Sequence, residues 1–219
     1  LIFHLAGSFT GQFENDIKVN ALSAKYIFEC ILSKSLKTRI VILGSAAEYG
    51  AVYPEDNPIT ESFPCNPVSV YGLTKHCQTE IAKFYARTSV IDVVIARVFN
   101  LAMPGLSQRL FYGRTEALIR AYKNRDIMKM EFGNLSSERD YIGAEDAVAQ
   151  LFAIAERGTS GEIYNIGRGV PKSIRSILFE ELNKHGIPNN IVVETSSEII
   201  GRKGFDVPVI YADTSKVMR

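Results

Sequence analysis

The sequence predicts an α/β fold in which a parallel sheet is wound with helices on both faces. Three observations carry that prediction. Apolar runs at residues 1–7, 39–45 and 92–98 are too continuous for strands with one wet face, and read as strands buried on both sides. Amphipathic helical patterns at residues 16–33 and 69–88 fill the gaps between those runs. The resulting order of strand, helix, strand, helix, strand is that of a doubly wound parallel sheet, whose ligands sit beyond the carboxyl ends of the strands. Gly7, Ser45 and Asn100, which close the three runs, are therefore expected to face one crevice.

Each element has its own signal. The first run starts directly on Leu1, Ile2 and Phe3 and ends in glycine. In residues 16–33, Ile17, Leu22, Ile27, Phe28, Ile31 and Leu32 fall on a helical stripe. Residues 39–45 (RIVILGS) form the second strand, ending in Gly and Ser. Pro54, Pro58, Pro64 and Pro67 mark 46–67 as a loop. A helix over 69–88 and a strand over 92–98 (DVVIARV) follow. The second half is less regular: a Gly/Pro loop at 103–113, a helix at 115–124, a polar turn at 133–140 and a helix at 145–156. A strand at 162–166, a helix opened by the cap Ser173, a strand at 191–194 and a polar tail complete it. This half reads as a small lobe interleaved with the sheet.

Composition narrows the classes of function. The chain has 219 residues, 46% hydrophobic and 22% charged, enough for one large domain or a large one with a small appendage. A formal net charge of +1 with interspersed signs gives no footprint for nucleic acid or an anionic membrane. No apolar run approaches the roughly 18 residues of a membrane span, and no signal peptide is expected. Cys30, Cys65 and Cys77 are odd in number and lack a CxxC spacing. They read as reduced packing cysteines of a cytoplasmic protein rather than as staples or metal ligands, and no metal is expected.

The chemistry centres on Tyr71 and Lys75, four residues apart where a helix begins, so that both lie on one helix face. An ammonium there is expected to lower the phenol pKa towards neutrality and fit it for proton exchange. With 10 Tyr and 12 Lys in 219 residues, roughly half a Tyr-x-x-x-Lys match arises by chance, so context decides. Ser45 supplies it, because a strand-end hydroxyl and a helix-start phenol can reach over the same sheet edge and share one substrate oxygen. Singly, each is an ordinary turn or packing residue. His4 reads as a packed strand residue.

The ordered pieces His4-Leu5-Ala6-Gly7, Gly44-Ser45-Ala46-Ala47-Glu48-Tyr49-Gly50, Pro64-Cys65-Asn66-Pro67 ahead of Tyr71-x-x-x-Lys75, and Arg97-Val98-Phe99-Asn100 resemble the extended short-chain dehydrogenase/reductases, the NAD(P)-dependent epimerases, dehydratases and reductases of nucleotide sugars. Gly133-Asn134-Leu135, Arg139-Asp140-Tyr141, Tyr164-Asn165-Ile166-Gly167 and Ala212-Asp213-x-Ser215-Lys216 extend the resemblance over nearly the whole chain. It implies a Rossmann-like, doubly wound parallel sheet with a small α/β C-terminal substrate lobe. Residues 1–113 are then a partial NAD(P)-binding domain carrying the catalytic residues, and 114–219 mainly the nucleotide-sugar lobe. Tyr71 is implied as the acid/base, with Lys75 binding the nicotinamide ribose and Ser45 bonding the reacting sugar oxygen. Leu5, Ala6 and Gly7 are implied to line NAD or NADP, with Asn20 bracing that strand end. Asn100 is implied to reach the substrate, and Arg139, with Arg202 or Lys203, its diphosphate. A homodimer through the helices at 16–33 and 69–88 is also implied.

Two departures qualify the resemblance. The first strand, the Gly-x-x-Gly-x-x-Gly turn and the residue that selects NAD or NADP are not in this sequence, which opens near the family's fourth strand; part of a longer chain is expected. Ser45 is followed by Ala46 and Ala47, where dehydratases place acidic or polar groups that protonate a leaving hydroxyl. A C4 oxidoreductase of a nucleotide-linked 6-deoxyhexose is therefore expected, nearest the GDP-4-keto-6-deoxy-mannose reductase and GDP-mannose dehydratase branch. A 4-epimerase is the alternative, ahead of a 4,6-dehydratase or an NAD(P)-sensing module without catalysis.

Overall fold

A computed structural model describes residues 1–195 and 207–219. In chain order the elements are β1 (Ile2–His4), α1 (Phe13–Ile17), a π-helical turn (Lys18–Leu22), α2 (Ser23–Ser33), β2 (Arg39–Ser45), α3 (Val70–Thr88), β3 (Asp92–Val98) and β4 (Asn100–Ala102). They continue with α4 (Phe111–Lys123), β5 (Met130–Phe132), β6 (Glu138–Gly143), α5 (Ala144–Arg157), β7 (Ile163–Ile166), β8 (Pro171–Ser173), α6 (Ile174–Lys184), β9 (Val192–Glu194) and β10 (Val209–Ile210).

The main sheet runs β1-β2-β3-β7, all parallel. Its apolar runs are continuous because alternate side chains enter two different cores. Ile40, Ile42, Val93 and Ile95 pack with Ala24, Phe28 and Ile31 of α2 and Ala82 of α3. Val41, Val94 and Ala96 point the other way, against Ala147, Ile154 and Ala155 of α5. Each fully buried aliphatic of this kind contributes about 1.5–3 kcal/mol, which fixes the register that brings the strand ends level. Ser45 pairs with Val98, and Val98 with Ile166.

A second sheet, β10-β6-β4 with β8 on β6, continues from the end of β3. The sequence suggested a polar turn over 133–140, yet β6 starts at Glu138. Its buried positions are Asp140 and Ile142, and a carboxylate in a buried slot breaks the alternation that marks a strand. The strands β4, β8 and β10 span only two or three residues, too few for a periodicity to show. A further core joins α4, β5 and α6 through Ile119, Met130, Phe132, Leu178 and Leu182. Beyond residue 113, α5 and β7 return to the main sheet, so the chain crosses between the two cores more than once.

Candidate active site

Ser45 is the last residue of β2 and caps the 3-10 turn Ala46–Glu48, its Oγ accepting from Ala47 N at 3.2 Å. The turn folds back so that Glu48 Oε1 accepts from Ser45 N at 2.8 Å. Glu48 is fully buried, and its Oε2 accepts from Arg97 Nε at 3.1 Å; Arg97 is itself only 2% exposed. The guanidinium also lies 4.7 Å from the centre of the Tyr49 ring, and Tyr49 donates to Asn165 Oδ1 at 2.6 Å. Serine, turn and the neighbouring strands are thus tied together at the carboxyl edge of the main sheet.

Helix α3 starts directly over that turn. Ser69 caps it, accepting from Gly72 N at 3.0 Å. A side chain on Gly72 would come within 2.3 Å of Ala47 O, so only glycine lets the first turn of α3 approach Ser45 this closely. Tyr71, half-buried on that turn, comes close enough to Ser45 for the serine side chain to favour its ionised form. Lys75, one helical turn on, is buried, and its Nζ donates to Leu43 O at 2.7 Å and Gln78 Oε1 at 3.1 Å.

These contacts correct one expectation. The Tyr71 pKa is raised, not lowered: burial pushes it up, the nearby Ser45 side chain opposes that, and the carboxylates of Glu48 and Asp16 raise it further. The Lys75 ammonium is turned towards Leu43 O and Gln78, and carries its own cost, since burial brings its pKa down to about 8 against the pull of Glu48. The phenol is therefore held in its protonated form at neutral pH.

The loop after β1 lies at the same edge of the sheet. Leu5, Ala6 and Gly7 are exposed, and a side chain on Gly7 would stand 3.6 Å from both Lys75 Nζ and Asn20 Oδ1. Asn20, buried in the π-helical turn, accepts from Ser8 N at 2.7 Å and donates to Ser8 O at 2.9 Å and Thr74 Oγ1 at 2.8 Å. It clamps the end of β1 to α3. His4 is packed, with Nε2 3.0 Å from Ser23 Oγ, and its pKa is lowered by burial and by Lys75.

Two residues here escaped the sequence reading. Buried Asp16 accepts from Ser8 Oγ (2.6 Å), Thr10 N (2.9 Å), Thr10 Oγ1 (2.8 Å) and Gly11 N (2.9 Å). Burial raises its pKa, but these bonds win and bring it to about 2. Phe9, held by this loop, meets the Tyr71 ring edge-on with centroids 5.0 Å apart, and its carbonyl accepts from Arg109 Nη1 at 2.8 Å. The run Ser8, Thr10, Gly11 ahead of a first-turn acid was the available signal for Asp16; nothing local pointed to Phe9.

Asp16→Asn tests that clamp. A carboxylate with a depressed folded pKa gives its full stabilisation above the ordinary carboxylate pKa and loses it as pH falls through the folded value. Asp16→Asn is thus expected to lower the unfolding free energy by about 2 kcal/mol at pH 7. Urea unfolding should show that deficit narrowing as pH falls from about 4 towards 2.

Asn100 and Arg139 belong to the second sheet. Half-buried Asn100 opens β4 opposite Tyr141 of β6, and its Nδ2 donates to Asp140 O at 3.2 Å. Arg139 lies on β6 with Nη1 donating to Glu138 O at 2.8 Å. Asp140 accepts from the backbone N–H groups of Arg168 (2.8 Å), Gly169 (2.9 Å) and Ala212 (3.2 Å). Arg202 and Lys203 lie outside the described residues.

Comparison with known proteins places this geometry. Residues 1–167 match the model of the family described as NAD dependent epimerase/dehydratase. GDP-6-deoxy-D-talose 4-dehydrogenase of Aggregatibacter actinomycetemcomitans is 26% identical over 203 residues, covering 91% of this chain and 64% of that protein. A putative UDP-glucose 4-epimerase of Methanocaldococcus jannaschii is 31% identical over 175 residues, covering 78% of this chain and 54% of its own length. The structure of RMD from Pseudomonas aeruginosa complexed with NADPH superposes with a TM-score of 0.89 at 18% identity, over 98% of this chain and 72% of that one. The chain thus spans between about half and two thirds of the curated relatives it matches.

Proposed function

The chain belongs to the NAD dependent epimerase/dehydratase family, and from that premise we propose that the protein is an NAD(P)-dependent oxidoreductase acting at C4 of a nucleotide-linked hexose, reducing a 4-keto-6-deoxy sugar. The observation that carries this reading is the juxtaposition of Ser45 with Tyr71, brought together where Gly72 lets α3 sit on Ala47, beside Gly7 and buried Lys75.

Gly7 leaves bare backbone at the end of β1, with Lys75 Nζ close by, so residues 5–7 fit the nicotinamide end of NAD or NADP and Lys75 its ribose. Bound there, the cofactor supplies the hydride. The Tyr71 phenol, kept protonated by burial, gives its proton to the C4 oxygen as that oxygen gains charge. Ser45 donates a second hydrogen bond to the same oxygen. Asn100 meets the sugar, Arg139 and Arg202 take the diphosphate, and the lobe built on α4 and α6 holds the nucleotide.

Elimination is disfavoured by the turn after Ser45. Ala46 and Ala47 carry no acid, and Glu48, the nearest one, is sealed beneath the turn with Ser45 N and Arg97 as its partners. An epimerase, oxidising and re-reducing C4, is the second reading, favoured by the 31% identical relative named as a putative 4-epimerase. Stoichiometry separates the two. A reductase consumes one NAD(P)H per product formed, whereas conversion without net consumption would replace the reductase with the epimerase. A module that only senses NAD(P) would bind the cofactor without affinity for sugar nucleotides, and the complete Ser45, Tyr71, Lys75 set argues against it.

A second copy of the chain is proposed on the outer faces of α2 and α3, where Tyr26 and Phe84 are 59% and 51% exposed. No helix among the described residues is long and apolar enough to cross a membrane. Three free thiols fit the reducing cytoplasm proposed as its compartment.

A further inference from the structure

We propose that Glu48, Cys65 and His76 form a site for one divalent cation of zinc's class, adjoining the Ser45–Tyr71 centre but independent of its reaction. The three come from three segments: the turn after β2, the proline loop and α3. Their carboxylate oxygen, thiol sulfur and imidazole nitrogen lie within 4.8 Å of one another.

A second observation points to a ligand. His76 Nδ1 is buried and has no hydrogen-bond partner, although Glu48 Oε2 is 3.9 Å away. That gap is too long for a hydrogen bond, and buried polar atoms rarely go unpaired. A cation between them satisfies an imidazole lone pair and a carboxylate oxygen together. Glu48 can serve while keeping its present partners, because Ser45 N and Arg97 Nε occupy one site on each oxygen and a carboxylate offers about four.

Charge and chemistry select the ion. Arg97 already balances Glu48, so the cation needs a further anion, which Cys65 supplies as a thiolate, releasing one proton to solvent on binding. Glu80, one turn along α3 from His76, adds negative charge on the same helix face. Sulfur and imidazole nitrogen beside one oxygen suit zinc; calcium and magnesium require oxygen sets. Tetrahedral zinc sets its ligand atoms about 3.3–3.6 Å apart. The ligand atoms now lie within 4.8 Å of one another, so binding would draw the half-buried Cys65 and His76 side chains inward, with a water from their solvent side as fourth ligand. The cation then clasps the proline loop to α3.

Titration of the chelator-treated intact protein with Zn²⁺, and with Co²⁺ as a coloured substitute, tests the site without reference to catalysis. The expected result is one equivalent bound, a thiolate-to-cobalt absorption band, and loss of one reactive thiol. Cys65→Ser should remove the band, and His76→Asn should weaken binding by more than about tenfold while leaving the circular dichroism unchanged. Absence of stoichiometric binding, or binding and absorption unaffected by either substitution, would overturn the proposal.

Discussion

Tyr71→Phe is expected to lower turnover by about 10²–10⁴-fold, the contribution of a positioned general acid. Only the hydroxyl is lost. The ring stays against Phe9 at a 5.0 Å centroid distance, and Gly72 still lets α3 sit on Ala47. Thermal stability and cofactor affinity should therefore stay close to those of the wild type, with the deficit appearing in kcat. The raised phenol pKa adds a direction to the prediction. Reduction needs the protonated phenol and should hold its rate through neutral pH. Oxidation of the 4-hydroxyl sugar needs the phenolate and should rise with pH over the same range. Near wild-type turnover in Tyr71→Phe, measured by NAD(P)H absorbance with the sugar product quantified, would remove Tyr71 from the chemistry.

Glu48→Ala carries the largest expected cost in stability. The substitution strands the Arg97 guanidinium in the interior and leaves Ser45 N without its acceptor. Removing one partner of a buried ion pair typically costs about 3–5 kcal/mol. For a domain of this size that corresponds to a fall in Tm of roughly 10 °C. The pair itself need not be stabilising. If the stranded charge is the cause, Glu48→Leu combined with Arg97→Met should recover most of the loss in a thermal melt. If the double variant is as unstable as Glu48→Ala, the hydrogen bond to Ser45 N is the larger contribution.

The sheet was legible because its runs are apolar on both faces: Val41 and Ile42 enter different cores, yet both read as strand. The Tyr71, Lys75 and Ser45 juxtaposition was legible for a related reason, since parallel topology sends strand ends and helix starts to one edge. What stayed hidden depends on burial and on distant partners. Spacing put Lys75 beside Tyr71, but Leu43 O and Gln78 decide where its ammonium points. Asp16 looked like an ordinary first-turn acid until the loop at 8–11 folded onto it. Cys65 does pack, against the core around Tyr49, but its closeness to Glu48 and His76 arises only through the tertiary fold. Arg202 lies outside the described residues, so its assignment rests on the resemblance alone.

Hydride placement tests the proposed reaction most directly. With NAD(P)H deuterated on the transferred face of the nicotinamide and a nucleotide-linked 4-keto-6-deoxyhexose, the proposed reaction puts one deuterium on C4 of the product per cofactor consumed. Deuterium at C6, or product formed with no label and no cofactor consumed, would contradict it.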